Sequence, residues 1–483
     1  MIEWSWLAVK PLAPELFLAV FGMMLLVLGA FKGEKALGFI TFAVAGAFIA
    51  AISMIGVSDW STKSLLGGMV MADGFSAWLK IIILCGLTVS ILLSYDWLKD
   101  NNLIRFEYPL LVLFSGIGMM LMCSATNLMA LYVSLELSSL CLYVLAAIRR
   151  NNSASAEAGI KYFVLGALSS GLLLFGISLV YGYTGSVDYA LIGQTLSAHS
   201  GAVPVGAILG MVFVLAGLAF KVSAVPFHMW TPDVYQGAPT PVTALFAIVP
   251  KVAAIALIVR LLAQPFHSVV ADWSQIIIFM SCASMVWGSF AAIAQENIKR
   301  LMAYSSIANM GYALIGVLAN VSEGTAAVIL YLSVYMIMTA GTFAIILCLK
   351  RNGQPVEKIS DLAGLSKTSP FIAYCLAAFM FSMSGIPPLA GFFSKLFIFQ
   401  AAVAAGHFYV AVIGVLASVV GAYYYLRIIK VMFFDDALPA MDTDTSYLRR
   451  YVALVSVAVI LLFCINPMSL LGQAQLAAGS LFP

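Results

Sequence analysis

Lys221, Lys251 and Lys395 each fall well inside a long apolar stretch, and one acid, Glu136 in ALYVSLELSSLCLYVLAA (residues 130–147), has comparable surroundings. Amines and carboxylates held among apolar side chains are suited to proton exchange, because burial disfavours their charged forms and every nearby charge shifts that balance. The stretch GLAFKVSAVPFHMW (residues 217–230) adds Pro226 and His228 just beyond Lys221. A static Glu136–Lys221 ion pair that fixes helix packing would account for one lysine. Lys251 would then have backbone carbonyls or a buried hydroxyl as partners, and Lys395 a helix break that admits water. His228 suits either a proton path or a polar interface.

Composition sets the elements that must hold these groups. Of 483 residues, 63% are hydrophobic and 9% charged, and the mean hydropathy is +1.04. A soluble chain carries about 25% charged residues, so this is an integral membrane protein. A spanning helix needs about 20 apolar residues. Fourteen stretches qualify, starting near residues 10, 36, 74, 106, 126, 158, 203, 240, 272, 301, 324, 370, 406 and 450. Unbroken apolar runs exclude a β-barrel, whose strands alternate over about ten residues. The fold expected is all-α and polytopic, with about fourteen transmembrane helices. A charge at the bilayer centre costs about 2.5–3.5 kcal/mol on insertion scales, so three central lysines require a purpose.

Seventeen lysines and arginines fall on one side of the alternating spans, against Lys10, Lys63 and Arg260 on the other. The positive-inside rule then puts both termini outside the cytoplasm. The net charge of +3 is a topology signal and implies no nucleic-acid role. Lys80 follows the polar start MADG (residues 71–74) and is expected to snorkel to the interface, and Glu15 and Glu107 are expected near span ends. MIEWSWLAVK lacks a basic n-region and is not read as a cleaved signal peptide. Seven scattered cysteines without a CxxC pair and four separated histidines argue against disulfides, iron–sulfur clusters, haem and metal sites.

Pro226 should break span 7, and SGIPPLAG (residues 384–391) should break span 12. Ser223-Ala-Val-Pro226 and Ser384-Gly-Ile-Pro387 match at an offset of 161 residues. Five spans separate them, an odd number, so one half must be inverted. Two inverted five-helix repeats follow, spans 4–8 and 9–13, with broken helices 7 and 12. The divisions are 1–105 (helices 1–3), 106–265 and 270–435 (the repeats), and 436–483 (connector and helix 14). The breaks should free carbonyls near Val222 and at Met383–Ser384, which membrane depth tolerates only beside water or protein.

Several motifs carry a resemblance. VPFHMWTPDVYQGAPTPV (residues 225–242) resembles the signature of the N-type subunits of bacterial type I NADH:quinone oxidoreductase, respiratory complex I. QENIKRLMAYSSIANMGY (295–312), SLELSSL (134–140) and GIPPLAGFFSK (385–395) resemble the wider family of Mrp-antiporter-like membrane subunits. The resemblance implies a proton path through Glu136 in span 5, Lys221 in span 7, Lys251 in span 8 and Lys395 in span 12, with His228 the loosest match. Lysine in span 12 is unlike the M type, and a chain ending soon after span 14 is unlike the L type. It also implies that this chain binds no cofactor. NADH, FMN, iron–sulfur clusters and quinone are expected in partner subunits, and the other membrane subunits and the lipid bilayer are its partners. An Mrp-type cation/proton antiporter subunit and a non-catalytic scaffold are the rival readings. The link KRNGQPVEKISDLAGLSKTS (350–369) is expected to contact a neighbour, and DDALPAMDTDTSYLRR (435–450) to be a solvated connector.

Overall fold

The computed structural model describes residues 10–198, 203–442 and 446–482. The signal-peptide expectation falls on residues 1–9, outside the described ones, as do parts of the termini and of the 435–450 connector. Among the described residues, twenty α-helices follow one another. The first seven are α1 (Ala13–Lys32), α2 (Leu37–Val57), α3 (Gly74–Asp100), α4 (Glu107–Ser124), α5 (Leu128–Ala146), α6 (Ser153–Thr184) and α7 (Tyr189–Ala198). Next come α8 (Val205–Val222), α9 (Trp230–Gly237), α10 (Thr240–Ile248), α11 (Pro250–Ala263), α12 (Val270–Ile293), α13 (Ile298–Leu318) and α14 (Ser322–Cys348). The last are α15 (Leu365–Thr368), α16 (Pro370–Ser384), α17 (Ala390–Ala404), α18 (Phe408–Phe434), α19 (Tyr447–Leu462) and α20 (Pro467–Gly479). Two short hairpins decorate the ends: β1 (Lys63–Leu65) with β2 (Val70–Ala72), and β3 (Lys350–Arg351) with β4 (Gln354–Pro355).

By length and apolarity, twelve helical stretches among the described residues can cross a membrane. Lys10–Val57 counts as one of them although the chain turns at Gly33 (φ +62°), and the halves α16 and α17 are too short to count. The centre of the bundle is α14, which packs against α10, α13, α16, α17, α19 and α20.

The interruptions have local causes. α8 ends with Ser223 in the left-handed region (φ 62°), and the Ala224 N–H donates back to the Ala219 carbonyl at 2.9 Å. α16 ends in the same way at Gly385 (φ 84°), with Ile386 N–H donating to the Phe381 carbonyl at 3.2 Å. Both are six-to-one helix terminations of the Schellman kind. The left-handed capping residues Ser223 and Gly385 are 162 apart, beside the 161-residue offset of the four-residue sequence match. A third interruption lies between α10 and α11, at Val249. Pro250 lacks the N–H and begins a new helix. In the second break, α17 starts so close to α16 that a Cβ on Gly391 would lie 1.8 Å from the Ser382 carbonyl oxygen.

The charge placement corrects one expectation. Lys80 does not snorkel. It is 4% exposed and pairs at 2.7 Å with Glu15, which is buried in the first turn of α1, near the span end where the sequence places it. Arg260, read from sequence as one of three basic residues on the sparse side, is fully buried. Its guanidinium donates to both oxygens of Asp73 at 2.8 and 2.9 Å, and its Nε to the Cys123 carbonyl at 2.9 Å. Asp73 also caps α3, accepting from the Ser76 N–H at 2.7 Å. The bidentate geometry satisfies the fork of the guanidinium and ties α3, α4 and α11 together. Most described residues of the 435–450 segment are exposed or half-buried, with Asp442 accepting from the Asn352 and Gly353 N–H groups, while Arg449, in the first turn of α19, is 0% exposed.

Two stability predictions follow from these contacts. Arg260→Met or Asp73→Leu alone should destabilise the protein by about 3–5 kcal/mol, since each leaves an uncompensated buried charge, while the double replacement should recover most of the loss. Thermal unfolding of the purified protein in detergent, followed by monodisperse yield, reads both. Gly391→Ala should cost about 1–3 kcal/mol or more by overpacking against backbone, seen in the same assay, whereas Gly46→Ala, with open space at its Cβ, should be neutral.

Candidate functional site: lysines at three helix interruptions

Each central lysine sits beside one of the interruptions. Lys221 is the penultimate residue of α8, Lys251 the second residue of α11, and Lys395 lies on α17 after the second break. Their partners are neutral. Lys221 Nζ donates to Ser139 Oγ at 2.8 Å and to the Tyr143 hydroxyl at 3.0 Å, both on α5. Lys251, 1% exposed, donates to Ser306 Oγ on α13, which in turn shares a 2.7 Å hydrogen bond with the Tyr335 hydroxyl on α14. Lys395, 8% exposed, donates to the Met383 carbonyl at 3.0 Å and to Ser418 Oγ on α18 at 3.0 Å. Aromatic faces complete the cages: Nζ of Lys221, Lys251 and Lys395 lies 5.4, 5.3 and 4.9 Å from the ring centres of Tyr143, Tyr235 and Tyr312.

The carbonyls at the breaks are accounted for in part by these contacts. Met383, expected from the sequence to lose its helical donor, receives the ammonium of Lys395 instead. At the first break the Phe220 carbonyl accepts from the Ser223 N–H at 3.1 Å and from Trp230 Nε1 at 3.0 Å. Ser284 Oγ on α12 accepts from the Val225 N–H at 2.8 Å and pins the linker.

Glu136 is half-buried on α5, one turn before Ser139, and accepts from Ser170 Oγ on α6. Among the described residues it forms no ion pair with Lys221 within 4.0 Å, so the static pair considered from sequence is not made. The two charges are separated by a turn of helix lined with hydroxyls. A cavity of about 20 Å³ beside Lys221, lined by Ser138, Ser139, Tyr162 and Pro250, reaches the start of α11. That is room for about one water molecule. His228 stands apart: its ring meets Trp287 at 6.1 Å, its Nδ1 has no partner, and no hydrogen bond among the described residues joins it to the three lysines.

Sequence reasoning missed the polar end of this site. Asp233 on α9 pairs with Lys161 on α6 and with Arg300 on α13, both at 2.6 Å. Lys299 pairs with Glu357 at 2.8 Å and donates to the Ala238 carbonyl at 3.2 Å. The runs TPDVYQGAP and QENIKR therefore meet in space. They line two charged clefts of about 380 and 210 Å³ whose walls include Lys161, Asp233, Gln236, Lys299, Arg300 and Glu357. The available signal was a charge of each sign in two otherwise separate motifs. Pro250, immediately before Lys251, was a second unread signal.

Residues 125–421 match the NADH:quinone oxidoreductase/Mrp antiporter transmembrane family. A relative from Rhodospirillum rubrum, NADH-quinone oxidoreductase subunit N, is 51% identical over 477 residues, 98% of each chain. NADH-quinone oxidoreductase subunit N 1 of Rhizobium meliloti is 55% identical over 425 residues, 88% of each chain. Among solved structures, a chain of respiratory complex I from Thermus thermophilus aligns with a TM-score of 0.81 and 31% identity, over 95% of this chain and 98% of that one. A chain of the Mrp complex from a Dietzia species aligns with a TM-score of 0.86 and 25% identity, over 98% of each. The helix interruptions, the caged lysines and these likenesses agree: the chain belongs to the NADH-quinone oxidoreductase subunit N family, within the NADH:quinone oxidoreductase/Mrp antiporter membrane subunits.

Proposed function

We propose that this chain is a proton-translocating membrane subunit of NADH:quinone oxidoreductase in a bacterial inner membrane. One observation carries the reading: three buried lysines, each at a helix interruption, are held by neutral oxygens rather than by counter-ions. Such an amine can hold or release a proton without breaking an ion pair. Protons would pass along Glu136, Lys221, Lys251 and Lys395, with the Asp233–Arg300 clefts as inlet. An ionised Glu136 favours the ammonium form of Lys221, and neutralising or displacing it favours release toward Lys251. The groups titrate as a coupled set. His228, remote from these contacts, serves the break rather than the path.

Energy comes from outside the chain. Moving one proton against 100 mV costs about 2.3 kcal/mol, and NADH oxidation and quinone reduction belong to partner subunits that carry the NADH and FMN sites, the iron–sulfur clusters and the quinone. Among the described residues no three of His, Cys, Asp and Glu converge as a metal site. Glu136 lies on a helix whose Val133 and Leu140 are exposed, a face suited to a neighbouring membrane subunit that could sense or neutralise the carboxylate.

In this reading Lys10–Val57 is two spans joined at the Gly33 turn, and α16 with α17 is one broken span. Fourteen spans result, with inverted repeats over spans 4–8 and 9–13 and both termini periplasmic. Cation/proton antiport is the second reading, favoured by the high TM-score to the Mrp chain.

Lys221→Ala, reconstituted within the assembled complex, should lower proton uptake per NADH oxidised while leaving subunit stoichiometry intact. Glu136→Gln should act in the same direction and more weakly. Fluorescence quenching in vesicles alongside NADH oxidation reads both, and parent coupling in an assembled Lys221→Ala complex would remove the role. Sodium-driven exchange without NADH would favour antiport instead. Single cysteines at Lys63 and Lys358 in a cysteine-depleted background should react with an impermeant maleimide from opposite faces, Lys63 from the periplasm.

A further inference from the structure

At one end of the bundle, where α5 stops and α4 and α6 begin, lies an open cleft of about 660 Å³. Its mouth is charged. Arg105 and Glu107 stand at the start of α4, and Arg150 in the turn between α5 and α6. Its walls are apolar, with Leu111 from α4, Val144 from α5, and Ile160 and Phe163 from α6. Val144, Ile160 and Phe163 are all exposed, so this chain leaves the trough uncovered. The α5 residue set deepest in the wall is Tyr143, whose hydroxyl accepts from Lys221 at 3.0 Å. From Ser153 to Phe163, α6 rises about 15 Å at 1.5 Å per residue. That is half of a hydrocarbon core about 30 Å thick, so the trough is one leaflet deep with its charges at the headgroup end. Those charges are not balanced within the chain. Arg105 pairs with Glu34 at 2.7 Å, both well exposed. Arg150 is exposed and, among the described residues, has no ion pair. Glu107 Oε2 is buried without a hydrogen-bond partner.

We infer that this cleft is a binding site for one anionic glycerophospholipid carrying headgroup hydroxyls, of the phosphatidylglycerol class. The phosphate meets Arg150 and Arg105, a headgroup hydroxyl donates to Glu107, and one acyl chain lies along α6 as far as Tyr143. This goes beyond the proton-path reading and does not depend on it. A guanidinium fork matches phosphate oxygens, and basic pockets between membrane helices take lipid headgroups. A purely apolar occupant has no use for the arginines, and a soluble anion has none for an apolar trough one leaflet deep. Glu107 selects the headgroup. Its carboxylate repels a second negative charge beside the phosphate and accepts from a hydroxyl, whereas a phosphatidylcholine headgroup has no hydrogen-bond donor to offer. Val144 continues, at helical spacing, the exposed face of α5 that carries Val133 and Leu140, so the lipid would fill the seam between this chain and a neighbouring subunit.

The rival occupants are unselected bulk lipid and a helix of the neighbouring subunit. Photolabelling of the assembled complex separates them, in phosphatidylcholine vesicles doped with a phosphatidylglycerol that carries a diazirine in mid-chain. The exposed face of α18, with Leu416 and Val419, is the internal standard for bulk contact. The site requires label concentrated on residues 143–163 relative to α18, displaced by unlabelled phosphatidylglycerol and not by added phosphatidylcholine. Arg150→Gln should lower that label by about tenfold, as the loss of a charge-assisted contact implies, and Ile160→Trp, which fills the trough, should abolish it. Label on α18 should stay the same in both. Label on 143–163 no stronger than on α18, or undiminished in Arg150→Gln, means bulk lipid only and overturns the site. No label on 143–163 means that a neighbouring subunit seals the cleft, which overturns it as well. Arg150 lies in an exposed turn, so Arg150→Gln should assemble normally, and its result decides where Ile160→Trp fails to assemble.

Discussion

An interrupted helix inside a membrane has carbonyls without donors, and a buried ammonium has donors without acceptors; each is costly alone. In this chain one solves the other. The contact between Lys395 Nζ and the Met383 carbonyl is the direct case, since the break that frees the carbonyl also supplies the lysine with an acceptor. Lys221 and Lys251 follow the same logic at one remove, beside the cap at Ser223 and the Pro250 start, with serine and tyrosine hydroxyls as acceptors. The polar interior is therefore a consequence of how the helices end.

The same bundle contains buried charges of another kind, and the contrast is informative. Arg260 with Asp73, and Lys80 with Glu15, are ion-paired and nearly unexposed. A close pair of opposite unit charges gains about 4 kcal/mol at an effective dielectric near 20, and that gain disappears if either partner changes protonation. Such pairs are fixed in charge and serve packing. The three lysines have hydroxyl and carbonyl partners that bind an ammonium but do not demand one. Pairing thus sorts the buried charges into those held by a counter-ion and those held by neutral oxygens.

The membrane class, the helix positions and the central lysines were legible in the sequence because burial of charge is rare enough that four residues stand out against an apolar background. The breaks at Pro226 and at Ile386–Pro387 were legible for the same reason that Pro is legible anywhere: a missing N–H has no substitute. The partners were not. Ser139, Ser306 and Ser418 lie on other helices, and serine is common in membrane spans, so nothing in one helix's sequence marks which serine faces a lysine. Lys80 was misread because Glu15, its partner, is 65 positions away on a helix whose packing the sequence does not specify.

The two longest motifs illustrate what long-range contact adds. TPDVYQGAP and QENIKR are separated by more than a whole span, yet Asp233 is bridged to Arg300, and Ala238 to Lys299, at the mouth of the charged clefts. α9 is only eight residues long, and it buries Trp230, Val234 and Tyr235. It is further anchored to α6 and α13 through Asp233, and by Trp230, which stacks on Tyr162 at 4.4 Å and donates to Phe220. A short helix tied at one end to the cap of α8 and at the other to the start of α13 couples the first break to the helix that presents Ser306 to Lys251. Any displacement of α9 would therefore move the surroundings of both Lys221 and Lys251.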